Sequence, residues 1–540
     1  MNRYPIFACL GLAWLAPFAC GHSLREPGGM GGAGSGAVPG SAASAASGDS
    51  GASDAQGGVG TGGAPARAGS GPNGDSGSTT DAAGAAGAAS DFDPQQCTPG
   101  NTTTISGVVY DPAGKNPLYN VLAYVADPRS PLPDLDSVPV GCGCAPLLPT
   151  KVLARSAPTD ETGHFEIPCA PSGSLDLVVQ TGKWRRKYAN VLVIPNQQNV
   201  IPNLRLPANS SEGSLPNIAI STGGSDSFEC LPLRFGVSAS EYVAGSASGG
   251  HIHIYTGKRG ATPAEGAVQS FETLWDSQSH LNEHDLVVLS CEGEETAGGN
   301  PGERVGATAQ QYLMNYANAG GRVLANHYHY AWFSTGPFAT GPNNLATWNV
   351  GTASLDDMRS FPAEIDTTLS DGAAFPEGSA LAKWLGLVSA LTDDQLPVWF
   401  ARSNVKALLQ PPSTEWIRIS ASSSLAPLAT QHFSVDMPLG AKGSAVCGRI
   451  AYSTLHVSGG PNMNAPGVPP DYPSEAAAGG GAGAPGLPGG PIPGGGVAQG
   501  GIVPTGCALH PVTPQEAVLE FALFDLSSCL IPIGEGRRWR

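Results

Sequence analysis

At 540 residues, with a formal net charge of −17 and 74 glycines, the chain is long enough for two or three domains, yet much of it lacks the side chains to pack. Only 27 lysines and arginines are present, and no basic patch interleaved with aromatics occurs, which excludes nucleic acid as a partner. The acidic residues are spread along the sequence and serve solubility.

Arg3 followed by the apolar run Ile6 to Ala19 is too short for a permanent membrane span and reads as a secretory signal over residues 1–20. Its end, Phe18-Ala-Cys20-Gly21, resembles the lipobox of bacterial lipoproteins, although Pro17 stands where leucine is usual. That resemblance implies a lipid on Cys20, with simple secretion as the alternative. Residues 21–96 are dominated by glycine, alanine and serine and are expected to form a disordered linker, because they bury too little apolar surface to offset the entropy of ordering.

The next segment, residues 97–207, reads as all-β. Thr104 to Tyr110 alternates, Asp111-Pro-Ala-Gly114 turns, and Val121 to Val125 returns, with further runs at His164–Ile167, Leu175–Gln180 and Val191–Ile194. Gly107-Val108, Asn120-Val121 and Asp160-Glu-Thr-Gly163-His-Phe165 resemble the pattern of the carboxypeptidase regulatory-like, or transthyretin-like, β-sandwich. Such a module implies a spacer or adhesive role. An insertion from Asp127 to Thr150 carries Cys142 and Cys144.

Besides Cys9 and Cys20, cysteines stand at 97, 142, 144, 169, 230, 291, 447, 507 and 529. In an exported chain they favour disulfides, and the odd number leaves a thiol over. The expectations are Cys169 for the Cys142/Cys144 pair, with Cys97 next, one link among Cys447, Cys507 and Cys529, and Cys291 free. The basic cluster Lys183 to Lys187 beside Trp184 reads as a solvated hairpin end.

Residues 216–531 form the second domain. Ile218–Ser221 followed by Thr222-Gly-Gly-Ser225 fits no nucleotide fingerprint. His251 and His253 fall on one face of a strand, where two histidines can chelate a metal if a third ligand joins them. The apolar block Asp285 to Ser290 is a buried strand ending in Cys291-Glu-Gly-Glu-Glu295; Ala307 to Ala319 is a helix stopped by Gly320-Gly321; Arg322 to Ala325 is a second buried strand running into Asn326-His-Tyr-His-Tyr-Ala-Trp-Phe333. Strand, helix, strand puts both strand-end loops on one edge of a parallel sheet, where ligands of open α/β sheets bind. Gly448 to Tyr452 is a further strand with His456 beyond its end. Pro514 to Asp525, capped by Thr513, is an amphipathic closing helix. Phe333 to Phe375 reads as a lid-like excursion and residues 459–506 as a disordered Gly/Pro-rich insertion.

The elbow Ala325-Asn-His-Tyr-His329 and the strand Gly448-Arg-Ile-Ala-Tyr452 with His456 resemble the glutamine amidotransferase-like superfamily, in its ThuA-like branch. The elbow carries His327 in place of the amidotransferase cysteine and lacks flanking glycines, so no hydrolytic thiol stands there. The expected fold is therefore a β-sandwich followed by an α/β flavodoxin-like parallel sheet with helices on both faces. His327, Glu292 and His456 are expected to open together on one crevice as catalytic residues, with Cys291, Glu294, Asn326, His329 and Trp332 lining it. Two readings stand. An exported or envelope-anchored protein binds an unknown ligand, such as a carbohydrate or another small polar molecule, stacked on Trp332, Phe333 and Trp348; or a hydrolase or lyase uses the strand-end histidines, with or without a metal. No cofactor is specified, and the only membrane contact expected is the lipid on Cys20.

Overall fold

A computed structural model describes residues 100–257, 260, 269–293, 305–351, 353–355, 359–421, 429–457, 507 and 511–535. The expectations for the signal, Cys20, the linker, Cys97, Glu294 and the 459–506 insertion lie outside the described residues. Among the described residues no helix is long and apolar enough to cross a membrane.

Thr104–Tyr110 is the middle strand of a small sheet, antiparallel to His164–Ile167 and parallel to Gln198–Arg205. A second sheet orders Val152–Arg155, Leu122–Ala126, Gly173–Thr181, Trp184–Val193 and Gly213–Ser214, antiparallel throughout. The two sheets enclose Ile105, Val109, Ala123, Val125, Phe165, Leu177 and Val179, the inward half of each alternation. On the outer face of the second sheet the Asp127–Thr150 insertion folds back, with Leu132 and Leu148 against Leu122, Tyr124 and Val178.

The second half is built on a ten-stranded sheet. Its first six strands, in spatial order Tyr242–Ala244, Ile252–Tyr255, Ile218–Ser221, Leu286–Leu289, Arg322–Asn326 and Gly448–Ser453, are all parallel. The helix Gly306–Asn318 joins two of them, as the apolar periodicity requires. The remaining four strands, Thr430–Met437, Thr414–Ile419, Ser360–Ile365 and Leu396–Trp399, continue the sheet antiparallel. The sheet is therefore mixed rather than wholly parallel. The lid-like reading of Phe333–Phe375 is corrected accordingly: Ser360–Ile365 is a sheet strand, Ala346–Trp348 pairs with Val405–Leu408, and Phe333 and Phe338 are buried.

Helices cover both faces. Val287, Leu289, Val323, Ala325 and Tyr452 face Leu313, Tyr316 and Ala317 of the Gly306–Asn318 helix, while Leu286, Val288, Leu324 and Ala451 share a core with Val518, Phe521 and Phe524 of the Pro514–Ser527 helix. This last helix starts at a capping box in which Thr513 accepts from the Glu516 amide and Glu516 accepts from the Thr513 amide. It is not amphipathic in place. Tyr119 stacks on Phe521 at 5.8 Å and Trp184 meets Phe524 at 5.6 Å, so its far side is covered by the sandwich, and a helix covered all round needs no polar face. Two of its acidic residues find partners on distant segments: Glu516 pairs with Arg234, and Glu520 accepts from Asn116 through Oε2.

One core consequently runs through both halves, from Ile105 to Leu526. Covalent links reinforce this shared core. Cys142 bonds to Cys447 and Cys144 to Cys529, while Cys230 bonds to Cys507. The pairing of Cys142 or Cys144 with Cys169 is thus overturned, as is a link among Cys447, Cys507 and Cys529; the insertion reaches across to the second half instead of closing on its own module. Cys291 is free and buried, as expected. Disulfides such as these are what an oxidising compartment permits.

Candidate functional site

The chain leaves Ile218–Ser221 for two strands on one side of it, then returns to Leu286–Leu289 on the other side. The loops that follow these two neighbours flank the point where the strand order reverses, the usual ligand crevice of an open sheet. Thr222–Ser227 and Ser290–Gly293 are packed tightly there. The Ser225 amide donates to the Cys291 carbonyl at 3.0 Å, and a Cβ on Gly223 would lie 2.2 Å from that carbonyl oxygen, so only glycine fits. This close approach explains Gly223 without invoking a phosphate.

Four side chains meet at this edge. His327 is the first residue beyond the Arg322–Asn326 strand and has φ +39°, a left-handed backbone that an L side chain adopts at a cost of about 1–2 kcal/mol. Its carbonyl accepts from the Tyr452 hydroxyl at 2.8 Å, and its Nδ1 lies 3.3 Å from the Cys291 sulfur. The His456 ring stands edge-on to it at a centroid separation of 5.5 Å. His456 Nδ1 in turn donates to the Asp226 carboxylate, 2.9 Å from Oδ2 and 3.1 Å from Oδ1, while the Val457 amide donates to Oδ1 at 3.0 Å. Phe400 packs against His456 at 6.0 Å.

The cluster is closed to solvent: Asp226 and Cys291 are 0% exposed, His327 2% and His456 4%. Burial pushes the Cys291 thiol well above its ordinary range, and the Asp226 charge pushes the same way against the Gly293 and Tyr328 amides. Burial also raises the Asp226 carboxyl, opposed by His456, the Val457 amide and the Arg402 charge.

The other expected site residues divide. His329 is turned away from His327, because the segment His327–Trp332 is a 3₁₀-helix and not a strand, so residues two apart point about 120° from each other; its Nε2 donates to the Ser290 carbonyl at 2.8 Å. Asn326 braces the edge, donating to the Ser453 and Leu455 carbonyls. Glu292 is buried with Oε1 beside Gly257, toward the neighbouring strand's loop. The expectation that Glu292, His327 and His456 open on a crevice is corrected, since all are buried. Trp332 and Phe333 are core residues: Trp332 is 1% exposed, packed edge-on against Trp275 at 5.1 Å, and Phe333 lies against Phe338. Trp348 is half-buried on Tyr330 at 5.6 Å. None of the three offers the open stacking surface expected of a sugar platform.

Asp226 is the residue the sequence reading missed. It follows a short strand within a Gly-Gly-Ser-Asp loop, and a carboxylate at that strand end, beside the sheet's reversal point, was the available signal. The strand histidines His251 and His253 are separately engaged, His251 with Glu241 at 2.7 Å and His253 with the Gly245 carbonyl at 2.7 Å. Among the described residues no group of three or more His, Cys, Asp or Glu side chains has the geometry to hold a metal ion.

No family model matches the chain, and no curated protein matches it. Two solved structures of type II cohesin–X-dockerin complexes from Acetivibrio cellulolyticus contain chains with partial likeness. One, an N-terminal interface mutant, has 13% identity and a TM-score of 0.15 over 28% of this chain and 88% of the other. The second, a C-terminal interface mutant, has 16% identity and a TM-score of 0.12 over 23% and 76%. At these TM-scores the likeness carries no argument.

Proposed function

We propose that this is an exported acid–base enzyme, a hydrolase or lyase acting on a glycan or another small polar substrate, with His327 and His456 as its working residues. The observation that carries the reading is the pairing of His456 with a wholly buried Asp226 beside an elbow histidine in left-handed backbone. A core histidine needs only one neutral hydrogen bond. A carboxylate buried against imidazole and a non-glycine residue at positive φ each work against stability, by roughly 1–3 kcal/mol, and together they mark a site more than a core. The binding reading rested on Trp332, Phe333 and Trp348, of which the first two are buried and the third is half-buried on Tyr330.

The same elbow, at the end of one of six parallel strands, supports the ThuA-like, amidotransferase-like reading of the second half. Strands at Thr104–Tyr110, Leu122–Ala126 and His164–Ile167 support the carboxypeptidase regulatory-like reading of the first. Disulfides support export, and we propose lipid attachment at Cys20 as the means of retention in the envelope. The test offers the full chain a panel of chromogenic glycosides, esters and lactones. Turnover by the natural protein and a fall of about 10²–10⁴-fold in His456→Gln are expected. A folded protein inert across the panel, or a His456→Gln variant as active as its parent, overturns the reading.

A further inference from the structure

Two disulfides leave the chain from one short stretch, Cys142-Gly143-Cys144, and they end in different surroundings. Gly143 takes a left-handed backbone, φ +78°, with open space where a Cβ would stand. The chain turns there, so the cysteine before it is exposed and the one after it is buried. Cys142 bonds to the half-buried Cys447, just ahead of the Gly448–Ser453 strand. Cys144 bonds to Cys529, just past the Pro514–Ser527 helix, and both are closed to solvent, at 7% and 4%. Thiol–disulfide exchange needs a thiolate to reach the sulfur it attacks, so a reductant meets the first bond and not the second.

What the first bond holds is short. Between buried Leu135 and buried Cys144, residues 136–143 form no helix or strand, and none of them is buried. Their other holds are non-covalent. Asp136 lies 3.6 Å from Nε2 of His251, the Val138 carbonyl accepts from Lys183, which pairs with Asp285 at 2.8 Å, and Val140 packs against the core of the second half. The Gly141 carbonyl sits against Gly320, where a Cβ would be 2.3 Å from it. His251, Asp285, Gly320 and Cys447 stand just ahead of the strands Ile252–Tyr255, Leu286–Leu289, Arg322–Asn326 and Gly448–Ser453. Residues 136–143 therefore lie across the amino-terminal ends of these parallel strands, at the edge opposite the histidine cluster. Cys447 itself is anchored, its amide donating to the Met437 carbonyl at 2.7 Å and its carbonyl accepting from Arg322 at 2.6 Å, so the free end after cleavage is the Cys142 side.

We infer that residues 136–143 are a redox-operated strap: a dithiol opens Cys142–Cys447 and releases it, while Cys144–Cys529 keeps the two halves bolted together. The dithiol's thiolate attacks the exposed Cys142 sulfur, and Cys447 leaves as a thiolate. The second sulfur of the dithiol then displaces Cys142, so the reductant becomes a disulfide and its two protons pass to Cys142 and Cys447. The same steps run backwards re-tie the strap. Release takes Asp136 from His251 and Val138 from Lys183, which opens the amino-terminal edge of the sheet to solvent without touching the core.

The full natural chain, kept under native conditions, is treated with graded dithiothreitol; freed thiols are capped with iodoacetamide and the peptides read by mass spectrometry. Cys142 and Cys447 are expected to be capped together, at least about tenfold sooner than Cys144 and Cys529. All four opening at once, Cys144 and Cys529 opening first, or a Cys142–Cys447 bond that yields only when the protein unfolds overturns the inference. In the capped protein, hydrogen exchange at the amides from Ser137 to Gly143 should rise about tenfold or more, while Gly448–Ser453 and Pro514–Ser527 keep their protection. An unmoved strap sinks the proposal as surely as the wrong order of capping. The variant Cys142→Ser/Cys447→Ser should show the same exchange with no reductant present, and its failure to fold would make that bond a structural one instead.

Discussion

His456 reaches back 230 residues to grip Asp226, and the carboxylate it holds is closed to solvent. Burial raises that carboxyl's proton affinity, so an ionised carboxylate is held there against the preference of its surroundings. Asp226→Asn is accordingly expected to raise the urea midpoint slightly, by up to about 1 kcal/mol with an unchanged m-value, while it abolishes turnover. A midpoint lowered by more than that amount would make the pair a structural one.

Asp111 and Glu520 give the protein an acid-side stability maximum. Asp111 accepts from the Lys115 amide at 2.7 Å and shares a hydrogen bond with Glu520. Burial pushes Asp111 up to about 6, the amides of Lys115, Asn116 and Gly114 pulling the other way, and Glu520 is raised well above its ordinary range by burial and by Asp111. In the unfolded chain an aspartate titrates near pH 4. Between there and about 6 the native protein binds more protons than the unfolded one, so stability is fully present below this window and falls as pH rises through it. Asp111→Asn should reduce that slope, the Asp111 share being on the order of 2–3 kcal/mol. Denaturant midpoints measured across the window decide; parallel pH profiles for variant and parent would remove the pair as the cause.

The sandwich should not survive excision. Residues 100–206 expressed alone lose the cover of Phe521 and Phe524, each worth about 1.5–3 kcal/mol when buried, together with the anchors at Cys142 and Cys144. The fragment is expected to lack a cooperative urea transition and to bind a dye for exposed apolar surface. A sharp two-state transition would contradict the shared core.

Trp332→Ala should lower stability by about 3–5 kcal/mol, since the ring is packed against Trp275 and 1% exposed. A change of less than about 1 kcal/mol in urea unfolding would return this tryptophan to the list of ligand-facing residues.

Cys291 should resist iodoacetamide in the native protein and react promptly in denaturant, because the thiol is fully buried and its ionisation is suppressed. Mass spectrometry of the alkylated peptide provides the check. Rapid native labelling would mean an open site and a more acidic thiol.

The parallel core was legible in the sequence wherever the signal is local. Leu286–Leu289, Arg322–Asn326 and Gly448–Ser453 are apolar runs bounded by turns, and the helix between the first two has its glycine stop. Thr513 and Pro514 announced the last helix in the same way. That helix also misled: it reads as amphipathic, but Glu516 and Glu520 meet Arg234 and Asn116 from distant segments. Asp226 and His456, and the links Cys142–Cys447, Cys144–Cys529 and Cys230–Cys507, are likewise contacts across hundreds of residues, for which periodicity and spacing hold no information. The antiparallel strands from Ser360 to Met437 were missed because short antiparallel strands between turns resemble irregular chain.

The position of the Pro514–Ser527 helix has a consequence for how the molecule comes into being. Synthesis runs from the amino end, yet this segment is the pillar against which the earlier Tyr119, Trp184 and Trp384 close, and Cys529 just beyond it is what Cys144 awaits. The sandwich and the strands before residue 514 lack this neighbour until the helix has been made. A chain stopped before residue 514 would leave them without the surface they settle on, so the folding of these earlier segments turns on this helix.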